Sequence, residues 1–366
     1  MNRTAAFEFL CGCLAWPQPC IDLQQLRRVA GSRRFRWASF VILAYEHLVA
    51  SALPFALQEL ELRDALPQEA LDYLDGLAAA VRQRNACVLD QAIEVAKILN
   101  RIEVTPTLLK GGANLVRSLY PDPGMRVMTD LDMLVSADRI DECVACLRAE
   151  GFRPLTDYRH PGGHHDFPLG RPDLPLPLEL HHRVLAHPYD GFLTANEVRQ
   201  SAVSMDGNDA SIAVPSPTHA VIHNVAHAQL SNHDYLYGRI DLRSLVDFVL
   251  LTRAYSEEID SDEVRRRFSR CRGVTALNFH LLCARDLLRA RMAERQQADA
   301  VTKLLYRRAR YLVGHPRLLD VSVRLIRPWL LLRRELSDST LRRRLVKNVL
   351  DRSWWKRHLR LFAGRQ

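Results

Sequence analysis

The stretch GMRVMTDLDMLV, residues 124–135, sets two aspartates one residue apart inside an apolar run. Side chains alternate across a strand, so Asp130 and Asp132 share a face if this run is extended. Like charges on one face of a buried strand cost free energy unless something positive lies between them. A divalent cation meets that need. Mg²⁺ or Mn²⁺ takes hard oxygen ligands, usually a few carboxylates completed by substrate phosphates and water. Without metal the two acids should repel, raising the pKa of one of them. Asp132→Asn is then expected to leave the metal-free fold unchanged or to stabilise it.

Upstream, VTPTLLK (residues 104–110) is short, apolar and β-branched, as a buried strand should be. Gly111 and Gly112 follow at once, and ANLVRSLY resumes helical spacing. Glycines between a strand and a helix let the backbone approach phosphate oxygens, and Lys110 adds a charge. Taken alone that signal is weak, because such turns also arise for steric reasons. Downstream, ADRIDECVACLRAEG reads as a helix closed by Gly151, FRPL as a strand, and LPLELHHRV as a further strong strand. In that last strand Glu179 stands between Leu178 and Leu180, the context expected of a third carboxylate. Alternation puts His181 on the face of Glu179. Two metals about 4 Å apart, bridged by such carboxylates, activate an attacking oxygen and steady a leaving pyrophosphate.

These elements predict an α+β chain: a helical region over 1–100, a small mixed-sheet core over 101–190, and a helical region over 191–366. The 48% hydrophobic and 25% charged fractions exclude disordered and fibrous classes. No apolar run nears the ~20 residues that span a bilayer, and the first apolar stretch is broken by Glu8 with no cleavage site, so the cytoplasm is the expected compartment. Cys143 and Cys146 form an isolated CxxC that reads as buried reduced thiols rather than a zinc site. The charge of +9 is uneven. From Lys303 onward 18 Lys and Arg face Asp320, Glu335, Asp338 and Asp351, a net +14 that leaves −5 for the rest.

The run LKGGANL…YPDPGMRVMTDLDMLV resembles the core of the polymerase-beta-like nucleotidyltransferase superfamily. Within it the chain looks like a bacterial group of uncharacterised nucleotidyltransferases. The shared landmarks here are Leu109–Gly111, Tyr120–Pro121, Arg126 with Asp130 and Asp132, and Gly151–Phe152. The likeness covers most of residues 40–250. It implies that Gly111 and Gly112, with Lys110, cradle an NTP such as ATP, that Asp130 and Asp132 hold Mg²⁺ or Mn²⁺, and that Glu179 completes the metal shell. Arg126 has two readings, a phosphate or acceptor contact and a solvated loop arginine.

His219, His223 and His227 recur every four residues along one helical face. Zinc, the acceptor side of the cleft (His223 and His227, with His181 a further candidate) and a packed helix face are all open readings. Asp241, Arg243 and Asp247 are expected to pair structurally, and His164 and His165 to sit in an exposed loop or a lid. Trp329, Trp354 and Trp355 lie among the arginines of the basic tail, a pattern that suits nucleic acid, an anionic membrane or a partner protein. The expected function is NMP transfer from an NTP to an unidentified small-molecule, peptide or saccharide acceptor. The alternative is an RNA-binding or RNA-modifying toxin–antitoxin-type protein on the same fold.

Overall fold

The apolar run after Asp130 becomes the middle strand of a mixed sheet. The computed structural model describes residues 2–16, 22–32, 35–156, 167–205, 209–290 and 298–337. Among these the strands are β1 (Thr107–Leu108), β2 (Leu131–Leu134), β3 (Arg153–Pro154), β4 (Leu169–Gly170), β5 (Leu178–His181), β6 (Val203–Ser204) and β7 (Ala213–Val214). They lie in the order β3-β4-β5-β2-β1-β7-β6. β2 runs parallel to β5 and antiparallel to β1, and every residue of β2 is buried. A strand covered on both faces reads as a continuous apolar run, which makes its single internal charge conspicuous. The sheet continues past residue 190, because β7 pairs in parallel with β1 and β6 folds back on β7. These two short strands are separated by the polar residues 206–209, so no apolar run marks them in the sequence.

Helices dominate the remainder, so the architecture is α+β. The longest helix in the first unit, Gln68–Asn100, begins after Pro67 and buries Leu71, Leu74, Ala78, Val81, Val88, Ala92, Val95 and Leu99 at three- and four-residue steps. Two polar residues share that buried face. Asn85 donates through Nδ2 to the carbonyls of Pro123 (2.7 Å) and Arg126 (2.8 Å), fixing the loop that enters β2. Gln91 donates to the Leu176 carbonyl at 2.8 Å and accepts from the Leu176 amide at 3.3 Å, fixing the entry to β5. At the helix end, Asn100 donates to the Val104 and Ser211 carbonyls and accepts from the Ser211 amide, tying the leads into β1 and β7 together. The PDPG loop approaches so closely that a Cβ on Gly124 would lie 2.5 Å from the Ala78 carbonyl oxygen. Only glycine fits there. The helical N-terminal region is therefore the scaffold against which the sheet's loops are set.

The chain divides into two compact units, Met1–Pro316 and Arg317–Gln366. In the first, one continuous apolar core runs from the N-terminal aromatic group Phe9, Phe35 and Phe40, through the sheet, to Phe248 and Phe279. Of the second, the helix Pro316–Ser337 is described, with Pro328 inside it and Leu318, Val321, Leu325, Trp329 and Leu332 exposed. Trp354, Trp355, His164 and His165 lie outside the described residues. Cys143 is buried and Cys146 donates weakly to the Ile98 carbonyl, both as free thiols. Among the described residues no single helix is long and apolar enough to cross a membrane.

Candidate functional site

Parallel pairing of β2 with β5 sets Asp132 directly beside Glu179. Paired residues of adjacent strands project to one face, and His181, two residues on, shares it. One ligand atom from each of Asp132, Glu179 and His181 lies within 4.8 Å of the others. Asp130 precedes the strand by one residue and lies near enough for its charge to bear on Asp132, Glu179 and Lys110.

Lys110 answers the opening question for the metal-free chain. Its Nζ lies 2.8 Å from Asp132 Oδ1, and His181 Nε2 lies 2.7 Å from the same oxygen and 3.7 Å from Glu179 Oε2. The Asp132 side chain is 3% exposed and that of His181 is 0%. Burial alone would raise the Asp132 pKa, but Lys110 and His181 outweigh it and hold the carboxyl well below its ordinary range. Lys110 shows the converse: burial lowers its pKa, and Asp132, Asp130 and Glu179 more than reverse that. His181 is likewise opposed by burial and raised by its bonds to Asp132 and Glu179. Asp130 is the strained member, pushed up by burial and by the Asp132 charge. One side-chain cation, Lys110, thus stands against the carboxylates, with His181 bonded to Asp132 beside it.

The turn that delivers Lys110 is unusual. Lys110 itself takes the left-handed conformation, φ +48°, that glycine would adopt more cheaply. The two glycines fall inside the first turn of the helix Lys110–Val116 and are buried. A Cβ on Gly111 would press on Met128 Sδ at 3.0 Å, and one on Gly112 would meet Leu108 and Leu131 at 3.3 Å. These glycines let the helix pack on β1 and β2, and the Leu109 amide bonds the Asp132 carbonyl at 3.0 Å to hold the turn in place.

Arg126 is buried, and its guanidinium is forked by Asp247 at 3.0–3.1 Å. Asp247 Oδ1 also accepts from the Tyr120 hydroxyl at 2.8 Å, and Asn114 donates to that hydroxyl at 3.2 Å. The landmarks Tyr120 and Arg126 therefore meet in one network on the helix Leu242–Ala254. Asp247 pairs structurally, but with Arg126, while Arg243 of the same expected group donates to the Val127 carbonyl at 3.5 Å. Asp241 caps the same helix by accepting from the Ser244 amide at 3.1 Å.

A solvent-open cleft adjoins this network, lined among others by Lys110, Arg126, His223, His227, Asn232 and Arg243. His223 and His227 come from the helix Pro217–Ala226 and the π turn His227–Ser231 that continues it. The wider turn returns Asn232 to its own hydrogen bond with the His227 carbonyl at 3.0 Å. π turns concentrate at functional sites. Burial lowers the pKa of both histidines, to about 3 for His223, and the Lys110 charge adds to the effect, so both rings are neutral. His219 departs from this group: its Nδ1 meets Ser201 Oγ at 2.7 Å and its Nε2 lies 3.6 Å from Glu263. That division opposes a zinc site shared by the three. Sequence reasoning passed over Asn85, Gln91, Asn224 and Asn232. The available signal was an amide at a position where helical spacing calls for an apolar residue, or one following the histidines along the same segment.

The profile of a family described as "uncharacterised nucleotidyltransferase" matches residues 33–289, which takes in the sheet, the long helix and the histidine-bearing helix. A comparison with curated proteins finds no match.

Proposed function

The chain belongs to this family of uncharacterised nucleotidyltransferases, and from that premise we propose that it moves an NMP from an NTP, ATP first among them, to an acceptor hydroxyl or phosphate. The observation that carries the reading is the side-by-side register of Asp132 and Glu179, with Asp130 and His181 adjoining. The order of strand, Gly-Gly helix and Asp-bearing strand supports placing the core in the polymerase-beta-like superfamily.

A divalent ion fits the residues present. Carboxylate oxygens suit Mg²⁺ or Mn²⁺, and a cationic ammonium already rests against the Asp132 carboxylate. Asp130, Asp132 and Glu179 would hold the ion, with His181 orienting Asp132 through its hydrogen bond. When bound, the ion would neutralise charge on the triphosphate and on the leaving pyrophosphate. Lys110, drawn off Asp132, is then placed to bind a phosphate oxygen of the nucleotide. The acceptor oxygen bonds to the α-phosphorus, the bond from that phosphorus to the α–β bridging oxygen breaks, and pyrophosphate departs. Glu179, whose side chain is 19% exposed against 3% for Asp132, is the carboxylate positioned to take the acceptor's proton. Arg126, held by Asp247, shapes the cleft wall rather than reaching for phosphate.

The C-terminal unit supports a nucleic-acid contact through its charge and through Trp329, which is exposed with Arg333 over its ring at 5.8 Å. The test of the main reading is pyrophosphate release across the four NTPs with Mg²⁺ or Mn²⁺ and a panel of acceptors. Asp132→Asn and Glu179→Gln should each abolish it. Turnover retained in both variants refutes the assignment.

A further inference from the structure

One cation of the cleft is left without a carboxylate. Among the described residues, Lys110, Arg126 and Arg243 are the lysine and arginines that line it. Asp132 answers Lys110 at 2.8 Å, and Asp247 answers Arg126 at 3.0 Å. Arg243 stands in the first turn of the helix Leu242–Ala254 and is partly buried. It forms no ion pair with a carboxylate of the described residues. Its hydrogen bond goes to the Val127 carbonyl at 3.5 Å, the long limit of such a contact, and Arg126 Nη1 donates to the same oxygen.

The acids around Arg243 are already engaged. Asp247 is forked by Arg126, and Asp241 Oδ1 accepts from the Ser244 amide at 3.1 Å. Burial, and after it the Arg126 charge, disfavour the Arg243 cation, while Asp241, Asp247 and Asp130 favour it through space without restoring its ordinary pKa. A guanidinium keeps its proton in a protein. The positive charge on Arg243 therefore remains short of a counter-charge at an open cleft. A planar fork of N–H donors matches the oxygens of phosphate or carboxylate two at a time. Asp130 decides between them. Its charge reaches Arg243, so the guanidinium adjoins the acids that would hold a divalent ion, and such an ion brings phosphate oxygens with it. Lys110 lines the same cleft, so a group with more than one negative charge meets two cations there.

We infer that Arg243 is an anion-binding residue and that its guanidinium grips a phosphate group of a substrate bound in the cleft. That the group belongs to a substrate rests on the nucleotidyltransferase reading; the binding itself is tested without turnover. The phosphate can come from the nucleotide's triphosphate or from a phosphorylated acceptor, and the experiment separates the two.

Titration calorimetry of the full chain in Mg²⁺ measures the affinity for tripolyphosphate, for ATP, and for glycerol 3-phosphate added to the ATP-saturated protein. Arg243→Gln should weaken at least one of these ten-fold or more, and Arg243→Lys, which keeps the charge and loses the fork, should recover part of that. Joint loss of tripolyphosphate and ATP assigns the phosphate to the nucleotide. Loss of glycerol 3-phosphate alone assigns it to the acceptor. Unchanged affinities for all three, or a parent chain that binds none of them, overturn the inference. Because no carboxylate is stranded by its removal, Arg243→Gln should unfold at the parent's urea midpoint. A variant that fails to fold or is markedly less stable shows a structural arginine and also overturns it. If pyrophosphate is never released yet Arg243→Gln loses tripolyphosphate, the transfer reading fails and the anion site stands.

Discussion

Replacing Asp132 by Asn removes one negative charge at nearly constant shape. From sequence alone the change relieves a clash with Asp130 and should be neutral or stabilising without metal. The structure reverses the sign. Asp132 Oδ1 meets Lys110 at 2.8 Å and His181 at 2.7 Å, both inside the fold. Removing one partner of a buried ion pair typically costs about 3–5 kcal/mol, because the other charge is left uncompensated. Two effects reduce that here. The Lys110 side chain keeps 22% of its exposure, and it still faces Asp130 and Glu179. The expected cost is therefore about 2 kcal/mol. The assay is urea unfolding at neutral pH in a chelating buffer. Lys110→Met combined with Asp132→Asn should cost less than the sum of the two single changes, with a coupling of about 1 kcal/mol or more. An Asp132→Asn protein as stable as the parent in chelator, or strict additivity in the double variant, would show that Lys110 is not the internal counter-ion.

Asp247→Asn strands the buried Arg126 guanidinium and should destabilise by about 3 kcal/mol, while Arg126→Met with Asp247→Leu should recover much of that; equal losses in single and double variants would exclude the pair as the cause. Asp234 is 4% exposed, and burial, aided by Asp241, lifts its pKa from 3.8 to about 8. A raised folded-state pKa gives stability that is full below 3.8 and lost as pH rises through about 8, so Asp234→Asn should raise the Tm at pH 8.5 and gain less at pH 5; a pH-independent difference refutes this. If the segment from Lys303 onward contacts RNA through several phosphates, affinity should fall steeply with salt. Deleting 340–366, which lies outside the described residues, should weaken that binding and leave the metal-dependent Tm shift intact. Salt-insensitive binding counts against a phosphate contact.

Much of the core was legible because charge inside an apolar run is a rare and interpretable event. Asp132 and Glu179 each stand alone among leucines and methionine, and period-two alternation fixed which neighbours share their face. The counter-ion was not legible. Nothing in LKGG says that Lys110, rather than a glycine, takes the left-handed turn and swings beneath Asp132. Asp130 was placed on the strand, one residue beyond where pairing begins. Arg126 gave no sign of its partner, because Asp247 lies 121 residues away and only tertiary packing joins them. β6 and β7 were missed because the polar run at 206–209 separates them, so neither stands in a recognisable apolar stretch as β1 does. The separation of His219 from His223 and His227 was equally hidden, since helical spacing puts all three on one face and the departure comes from Ser201 and Glu263 on other elements.

Three amide side chains on one rigid rod have a bearing on how such a chain can be cut, fused or lengthened. Asn85, Gln91 and Asn100 are spaced along 15 residues, about 22 Å at the helical rise, and each grips backbone leading into a different strand. A single inserted residue between them would rotate everything beyond it by about 100° and carry a clamp off its carbonyl. Length variation should thus be tolerated before Gln68 and be nearly absent between Asn85 and Asn100. A fragment starting at residue 101 would retain every acid of the site and lose the template that spaces them. Grafting this sheet onto another carrier therefore means transplanting the rod with it.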